Sequence, residues 1–140
     1  PGATDVPFIL DNSVAAAWLF DQQATPYGDA VALALQRDRA HAPALWELEL
    51  TNVLRTACIR GRLQAQRAQA MLEQVLALPI TIDREAVRPS EVLALALRHG
   101  LSSYDAAYLE LALRLQLPIA TQDDALAAAA VACGVGLWSA

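Results

Sequence analysis

The residues of this chain whose type and placement could do chemistry are four acids, Asp11, Glu49, Asp105 and Asp123. Asp11 follows the apolar run Phe8-Ile9-Leu10, and Asp123 follows Leu117-Pro118-Ile119-Ala120-Thr121. In an open α/β sheet, strand carboxyl ends border the crevice where ligands bind. Carboxylates gathered there repel one another unless a proton or a divalent cation sits between them. Oxygen donors with no Cys or His among them suit Mg²⁺ or Mn²⁺ rather than zinc.

Each acid also has a local explanation. Ser102-x-x-Asp105 and Thr121-x-x-Asp124 have capping-box form, and Asp11 precedes Ser13, a natural N-cap. Acids also suit the positive end of a helix dipole. Capping accounts for acids one at a time. It does not account for Asp11 and Asp123 both ending apolar strands while Asp105 opens a helix that can point at the same edge. Glu49 competes with Glu47, because the two flank the apolar stripe of one helix roughly 200° apart. Periodicity leaves both open, and Asn52, one turn beyond Glu49, tips the balance slightly toward Glu49.

The elements that must position these acids follow from hydrophobic period and breakers. Strands are expected at Phe8–Leu10, weakly at His41–Pro43, and at Ile80–Ile82, Pro118–Thr121 and Val135–Trp138. Helices are expected over 14–20, from Pro26 to about Asp38, over 44–59 with Gly61 as its stop, and over 64–78. Three more are expected: 85–98 with Pro89 in its first turn or delaying its start, Ser102 to about Gln116, and 124–133. Alternation of helices with short strands predicts an α/β fold with a mostly parallel sheet of four or five strands.

Composition bounds the rest. A chain of 140 residues, 56% apolar, makes one domain, read here as residues 7–140 after a flexible segment 1–6. The longest apolar run, Ala125 to Val135, is too short for the roughly 20 residues that cross a bilayer. No charged leader with a cleavage site is present, so a cytoplasmic protein is expected. Cys58 and Cys133 are far apart and have no CxxC or neighbouring His in sequence, so they are expected as unpaired thiols. With a net charge of −5, the chain is no generic nucleic-acid coater. Every basic residue is Arg, however, and Arg55, Arg60, Arg62 and Arg67 share a stretch with no acid between them. That stretch reads either as a solvated helix end or as a track for RNA. His41 and His99 have no acid or nucleophile beside them in sequence. Trp18, Trp46 and Trp138 read as core or interface. Ser102 and Ser103 have no triad partner, and no glycine-rich phosphate loop occurs.

At this point the motifs carry a resemblance. Ile9-Leu10-Asp11-Asn12-Ser13-Val14, Glu49-Leu50-Thr51-Asn52-Val53-Leu54, Leu101-Ser102-Ser103-Tyr104-Asp105-Ala106-Ala107-Tyr108 and Thr121-Gln122-Asp123-Asp124-Ala125-Leu126 occur in one order. Together they resemble PIN-domain ribonucleases, specifically VapC-type toxins of toxin–antitoxin pairs. The resemblance implies a PIN-like three-layer α/β/α sandwich. It favours Glu49 over Glu47, through E-x-x-N-x-L, and Asp123 over Asp124, through T-x-D-x-x-L. An acid at position 124 departs from the family's pattern.

By the same resemblance the chain would be an endoribonuclease dependent on Mg²⁺ or Mn²⁺, leaving 5′-phosphate and 3′-hydroxyl ends. Asp11 and Asp105 would be the primary metal ligands, with Glu49 and Asp123 binding directly or through water, or accepting the attacking water's proton. Ser13, Asn52 and Thr121 would support them. Partners would be RNA, a second copy of the chain, and a small antitoxin laid against the helices over 44–59 and 64–78. Two other readings compete. One is a phosphatase with Asp11 as nucleophile, although the second acid such enzymes use two residues on is here Ser13. The other is a non-catalytic module that keeps the fold.

Overall fold

A computed structural model describes residues 6–140, so the flexible segment expected over 1–6 lies, but for Val6, outside the described residues. Strands β1 (Phe8–Leu10), β2 (Ala40–Pro43), β3 (Ile80–Asp83) and β4 (Ile119–Ala120) form one sheet in the order β3-β2-β1-β4. All three neighbouring pairs are parallel, with Ile9 opposite both His41 and Ile119. Every residue of β1 and β4 is buried, as expected for parallel strands covered by helices on both faces. The α/β sandwich is therefore confirmed.

Among the described residues seven helices flank the sheet: α1 (Asn12–Leu19), α2 (Pro26–Ala34), α3 (Leu45–Ile59), α4 (Ala65–Leu76), α5 (Pro89–His99), α6 (Ser103–Leu115) and α7 (Asp124–Ala132). A single 3₁₀ turn, Asp21–Gln23, links α1 to α2. Helix α6 is the central one. Its Ala106, Tyr108, Leu109, Leu111 and Ala112 are all buried. The one acid among them, Glu110, is neutralised by Arg114 one turn on (2.9 Å), which also grips Asp83 of β3 (2.9 Å) and Glu85 (2.8 Å). This network ties α6 to the sheet's far edge. Trp46 is fully buried in the same core, and Trp138 packs tilted against Phe8 and edge-on to Tyr27, with ring centroids 5.5 and 5.8 Å apart. Among the described residues no helix is long and apolar enough to cross a membrane.

Several boundaries differ from the sequence reading. The fifth strand shrinks to an isolated bridge between Ile119 and Leu137, because Gly134 and Gly136 adopt φ of +81° and +76° and interrupt the extended run. Helix α2 stops at Ala34, with Leu35 as its C-cap, rather than near Asp38. Helix α1 begins at Asn12 with Asp11 as N-cap residue, so Ser13 is inside the helix and is not its cap. Helix α7 is capped by Asp123, whose Oδ2 accepts from the Leu126 N–H (2.8 Å), not by Thr121. Both hydroxyls thus freed are used elsewhere.

Pro89 delays α5 by occupying its first turn, and Gly100 ends it in the left-handed region (φ +64°). A Cβ at Gly100 would meet no heavy atom within 4 Å, so only backbone strain opposes a side chain there. Gly100→Ala is expected to lower unfolding free energy by about 1 kcal/mol in denaturant titration.

The two cysteines are unpaired and partly buried, as expected. His99, remote from Cys133 in sequence, nevertheless lies beside it, with Nε2 3.2 Å from the thiol sulfur.

Candidate active site

Because all strands run the same way, their carboxyl ends share one edge, and the four acids are delivered to it by different elements. Asp11 extends β1 by one residue, donating its N–H to the Ala120 carbonyl (3.0 Å). Its side chain makes no cap hydrogen bond to α1, although it holds the N-cap position. Instead Oδ2 accepts from Ser13 Oγ and from Thr121 Oγ1, both at 2.7 Å. The carboxylate is only 4% exposed. Two hydroxyls on one oxygen fix the plane of the group while neither uses Oδ1.

These hydroxyls join the two strand ends. Ser13 Oγ accepts from the Gln122 N–H (2.9 Å), and Thr121 Oγ1 accepts from the Asp123 N–H (3.0 Å). Gln122 also receives a bond from Thr25 (2.7 Å), which caps α2 through the Gly28 N–H. The loop after β4 is thereby pinned to the start of α1.

Asp105 sits in the first turn of α6, where its N–H donates to Ser102 Oγ (3.1 Å), the expected cap. No hydrogen bond from the Ser102 N–H to the Asp105 carboxylate completes the box among the described residues. Glu49, in the second turn of α3, accepts a 2.5 Å hydrogen bond from the hydroxyl of Tyr108, one turn after Asp105. Glu47 turns away to a bidentate pair with exposed Arg84 at 2.7 and 3.0 Å. Glu49 thus faces Tyr108 of α6, whereas Glu47 faces Arg84. Asn52 is exposed, and no hydrogen bond joins it to Glu49 among the described residues.

Electrostatics place the four acids in one neighbourhood. Burial chiefly pushes the Asp11 carboxyl above its usual range, opposed by the hydroxyls of Thr121 and Ser13, and the charge of Asp123 adds to the rise. Burial likewise raises Glu49, against the Tyr108 hydrogen bond, with Asp11 and Asp105 contributing repulsion. Asp105 is raised by burial, then by Asp123 and Asp11. Asp124 enters none of these sets, whereas Asp123 enters two. Burial and the adjoining Glu49 hold the Tyr108 phenol far above its ordinary value, so it remains a donor.

Among the described residues, no three or more Asp, Glu, His or Cys side chains are already arranged to hold a metal ion. The acids feel one another's charge without closing around a point. Such an arrangement suits a hard cation that keeps several of its own waters better than one that must be caged by protein ligands. The amide oxygen of Asn12, next to Asp11 in sequence, is buried without a hydrogen-bond partner among the described residues.

Two members of this site carry no role in the sequence reading. Tyr108 is one, although the spacing Asp105-x-x-Tyr108 puts both on one helix face, a usable signal. Gln122 is the other. Its bridge to Ser13 and Thr25 spans 109 and 97 residues, which no local pattern encodes.

Comparison with known proteins identifies the family and the fold. Residues 8–132 match the PIN domain family. Ribonuclease VapC12 of Mycobacterium tuberculosis is 32% identical over 119 residues, covering 85% of this chain and 88% of that protein. Ribonuclease VapC3 of Pyrobaculum aerophilum is 31% identical over 120 residues, covering 83% and 88%. The crystal structure of PAE2754 from Pyrobaculum aerophilum superposes with a TM-score of 0.66 at 26% identity, covering 90% of this chain and 87% of that one. The chain belongs to the PIN-domain family, in its VapC-type branch.

Proposed function

We propose that this chain is a divalent-cation-dependent endoribonuclease and the toxin of a toxin–antitoxin pair. The observation that carries the reading is the coupling of Asp11, Glu49, Asp105 and Asp123 at one sheet edge. Their mutual repulsion calls for a positive counter-charge there. Relatives named ribonucleases at about one-third identity support RNA as the substrate.

In this reading Asp11 and Asp105 would hold Mg²⁺ or Mn²⁺, with Glu49 and Asp123 as further ligands, directly or through water. When bound, the cation would acidify a water and neutralise charge developing on the phosphodiester. The chain's own residues supply the rest. Ser13 and Thr121 hold Asp11 in one orientation. Tyr108 orients Glu49 by donating to Oε1, which leaves Oε2 to accept a proton from the attacking water. Asp123 serves twice, because one of its oxygens caps α7 while its charge faces the pocket. Phosphoryl chemistry through an Asp11 adduct has less support, since Asp11 Oδ2 is engaged by two hydroxyls and position 13 is the serine that supplies one of them.

A second copy of the chain and a small antitoxin complete the proposal. The groove between α3 and α4, about 210 Å³ and lined in part by Leu54, Cys58, Ala65 and Leu72, offers an apolar seat for an antitoxin helix.

The test is cleavage of total RNA with Mn²⁺ or with a chelator, followed by mapping of the cut ends. Products with 5′-phosphate and 3′-hydroxyl termini, lost on chelation, are expected. Chelator-insensitive cleavage, or none under any condition, would sink the proposal. Glu47→Gln serves as an internal control. Its ion pair with Arg84 is exposed and screened by solvent, so cleavage rate and stability should both stay near wild type.

A further inference from the structure

We infer that the tip of the α3–α4 hairpin is an electrostatic anchor for single-stranded RNA, joined to the acidic pocket by one polar stripe along α3. The inference rests on the ribonuclease reading for its substrate, and it adds the surface that holds that substrate.

Arg55, Arg60, Arg62 and Arg67 are all exposed, on the end of α3, the connecting turn and the start of α4. None of them takes part in an ion pair or side-chain hydrogen bond among the described residues. Arg84, Arg88 and Arg114, by contrast, are all engaged by carboxylates. From Leu50 to Leu72 the chain carries these four positive charges and no acid. In Arg37-Asp38-Arg39 and Arg84-Glu85, by contrast, acids adjoin the arginines. The hairpin tip is thus a concentrated positive charge on a chain of net charge −5.

Helical phase connects the tip to the site. Counting at about 100° per residue from Glu49, Thr56 falls about 20° to one side and the C-cap Arg60 about 20° to the other, with Asn52 about 60° away. Asn52 and Arg60 are exposed and Thr56 is half-buried. A stripe that is polar except for half-buried Val53 therefore leads from Glu49 to Arg60 over about 16 Å of helix axis. A pocket of four acids repels an incoming polyanion, and so needs attraction from outside itself. The arginine tip provides that attraction where a strand lying along the stripe would pass. Asn52 gains a place here, as an exposed amide facing the path rather than a support for Glu49.

The test uses a fluorescein-labelled, unstructured 20-nucleotide RNA, with binding measured by anisotropy in chelator across a salt series. Replacing all four arginines by alanine is expected to weaken binding at least about 10-fold and to flatten the plot of log affinity against log salt by about 3 units, at roughly 0.7 per lost phosphate contact. The fourfold lysine variant should restore both, which separates loss of charge from loss of fold. Cleavage is followed in parallel with Mn²⁺. The arginine-to-alanine variant should cut the 20-mer at least about 10-fold more slowly than the parent while cutting a trinucleotide, too short to reach the tip, at the parent's rate. If the parent binds the 20-mer through these arginines but cleaves nothing, the anchor stands and the nuclease reading fails. If the parent cleaves and the alanine variant binds and cleaves like it, the anchor is overturned and the nuclease reading stands. No RNA binding by the parent, or a change confined to self-association, also overturns the anchor.

Discussion

Asp11→Asn should lower RNA cleavage by at least about 1,000-fold while leaving the fold intact, the scale seen when one member of a cooperating catalytic group is removed. The amide keeps the shape of a side chain that is only 4% exposed and can still accept from Thr121 and Ser13. It cannot carry the negative charge that recruits a cation. Asp105→Asn should fail in the same way, and it adds a stability signature with a definite sign. Asp105, Glu49 and Asp11 all have folded-state pKa values above the ordinary carboxylate value of about 4. Stability gained from holding these protons is fully present below that value, and is lost as pH rises through the folded-state values. Removing one charge therefore raises Tm at pH 7 and has little effect at pH 3. Wild-type cleavage rates after Asp11→Asn, in protein with unaltered circular dichroism, would dismiss Asp11 from the chemistry.

What the sequence discloses about this site depends on how far each interaction reaches along the chain. Asp11, Asp105 and Asp123 are legible because each abuts a strand end or a helix start that hydrophobic runs and breakers already mark. Buried β1 reads as an unbroken apolar triplet, and Pro89 and Gly100 bracket α5. Glu49 is harder. Its separation from Glu47 depends on Arg84 claiming one acid and Tyr108 the other, and both partners come from distant segments. The family motif makes the same choice by pattern, without the cause.

The hydroxyls show the limit most clearly. A Ser or Thr at a strand-to-helix junction can cap the helix that follows it or bind a carboxylate across the sheet, and spacing sees only the first option. Ser13 and Thr121, 108 residues apart, both bind the carboxylate instead, converging on one oxygen of Asp11. Asp123 then caps α7 in the place read for Thr121. The fifth strand fails for a nearer reason. Val135-Gly136-Leu137-Trp138 has the right apolar content, but glycines at 134 and 136 take left-handed conformations and leave one bridge.

That exchange of roles makes Thr121 the most informative position outside the acids. Its Oγ1 donates to Asp11 Oδ2 and accepts from the Asp123 N–H, at 2.7 and 3.0 Å, from a side chain 7% exposed. Among the influences that hold the Asp11 pKa down against burial, its hydrogen bond is the largest. Thr121→Val preserves volume and removes the donor, so burial acts with less opposition and the Asp11 carboxyl moves further up. Since only ionised Asp11 can hold a cation, activity is lost as pH falls through that higher value. The acid limb of kcat/KM should therefore shift to higher pH, with a loss of about 10–100-fold at neutrality that shrinks as pH is raised. Thr121→Ser should keep both the limb and the rate near wild type. Ser13→Ala should move the limb in the same direction by less, because its bond to Asp11 is the weaker of the two influences. A Thr121→Val enzyme whose acid limb coincides with that of wild type would show that the hydroxyl packs the strand end without tuning the acid it touches.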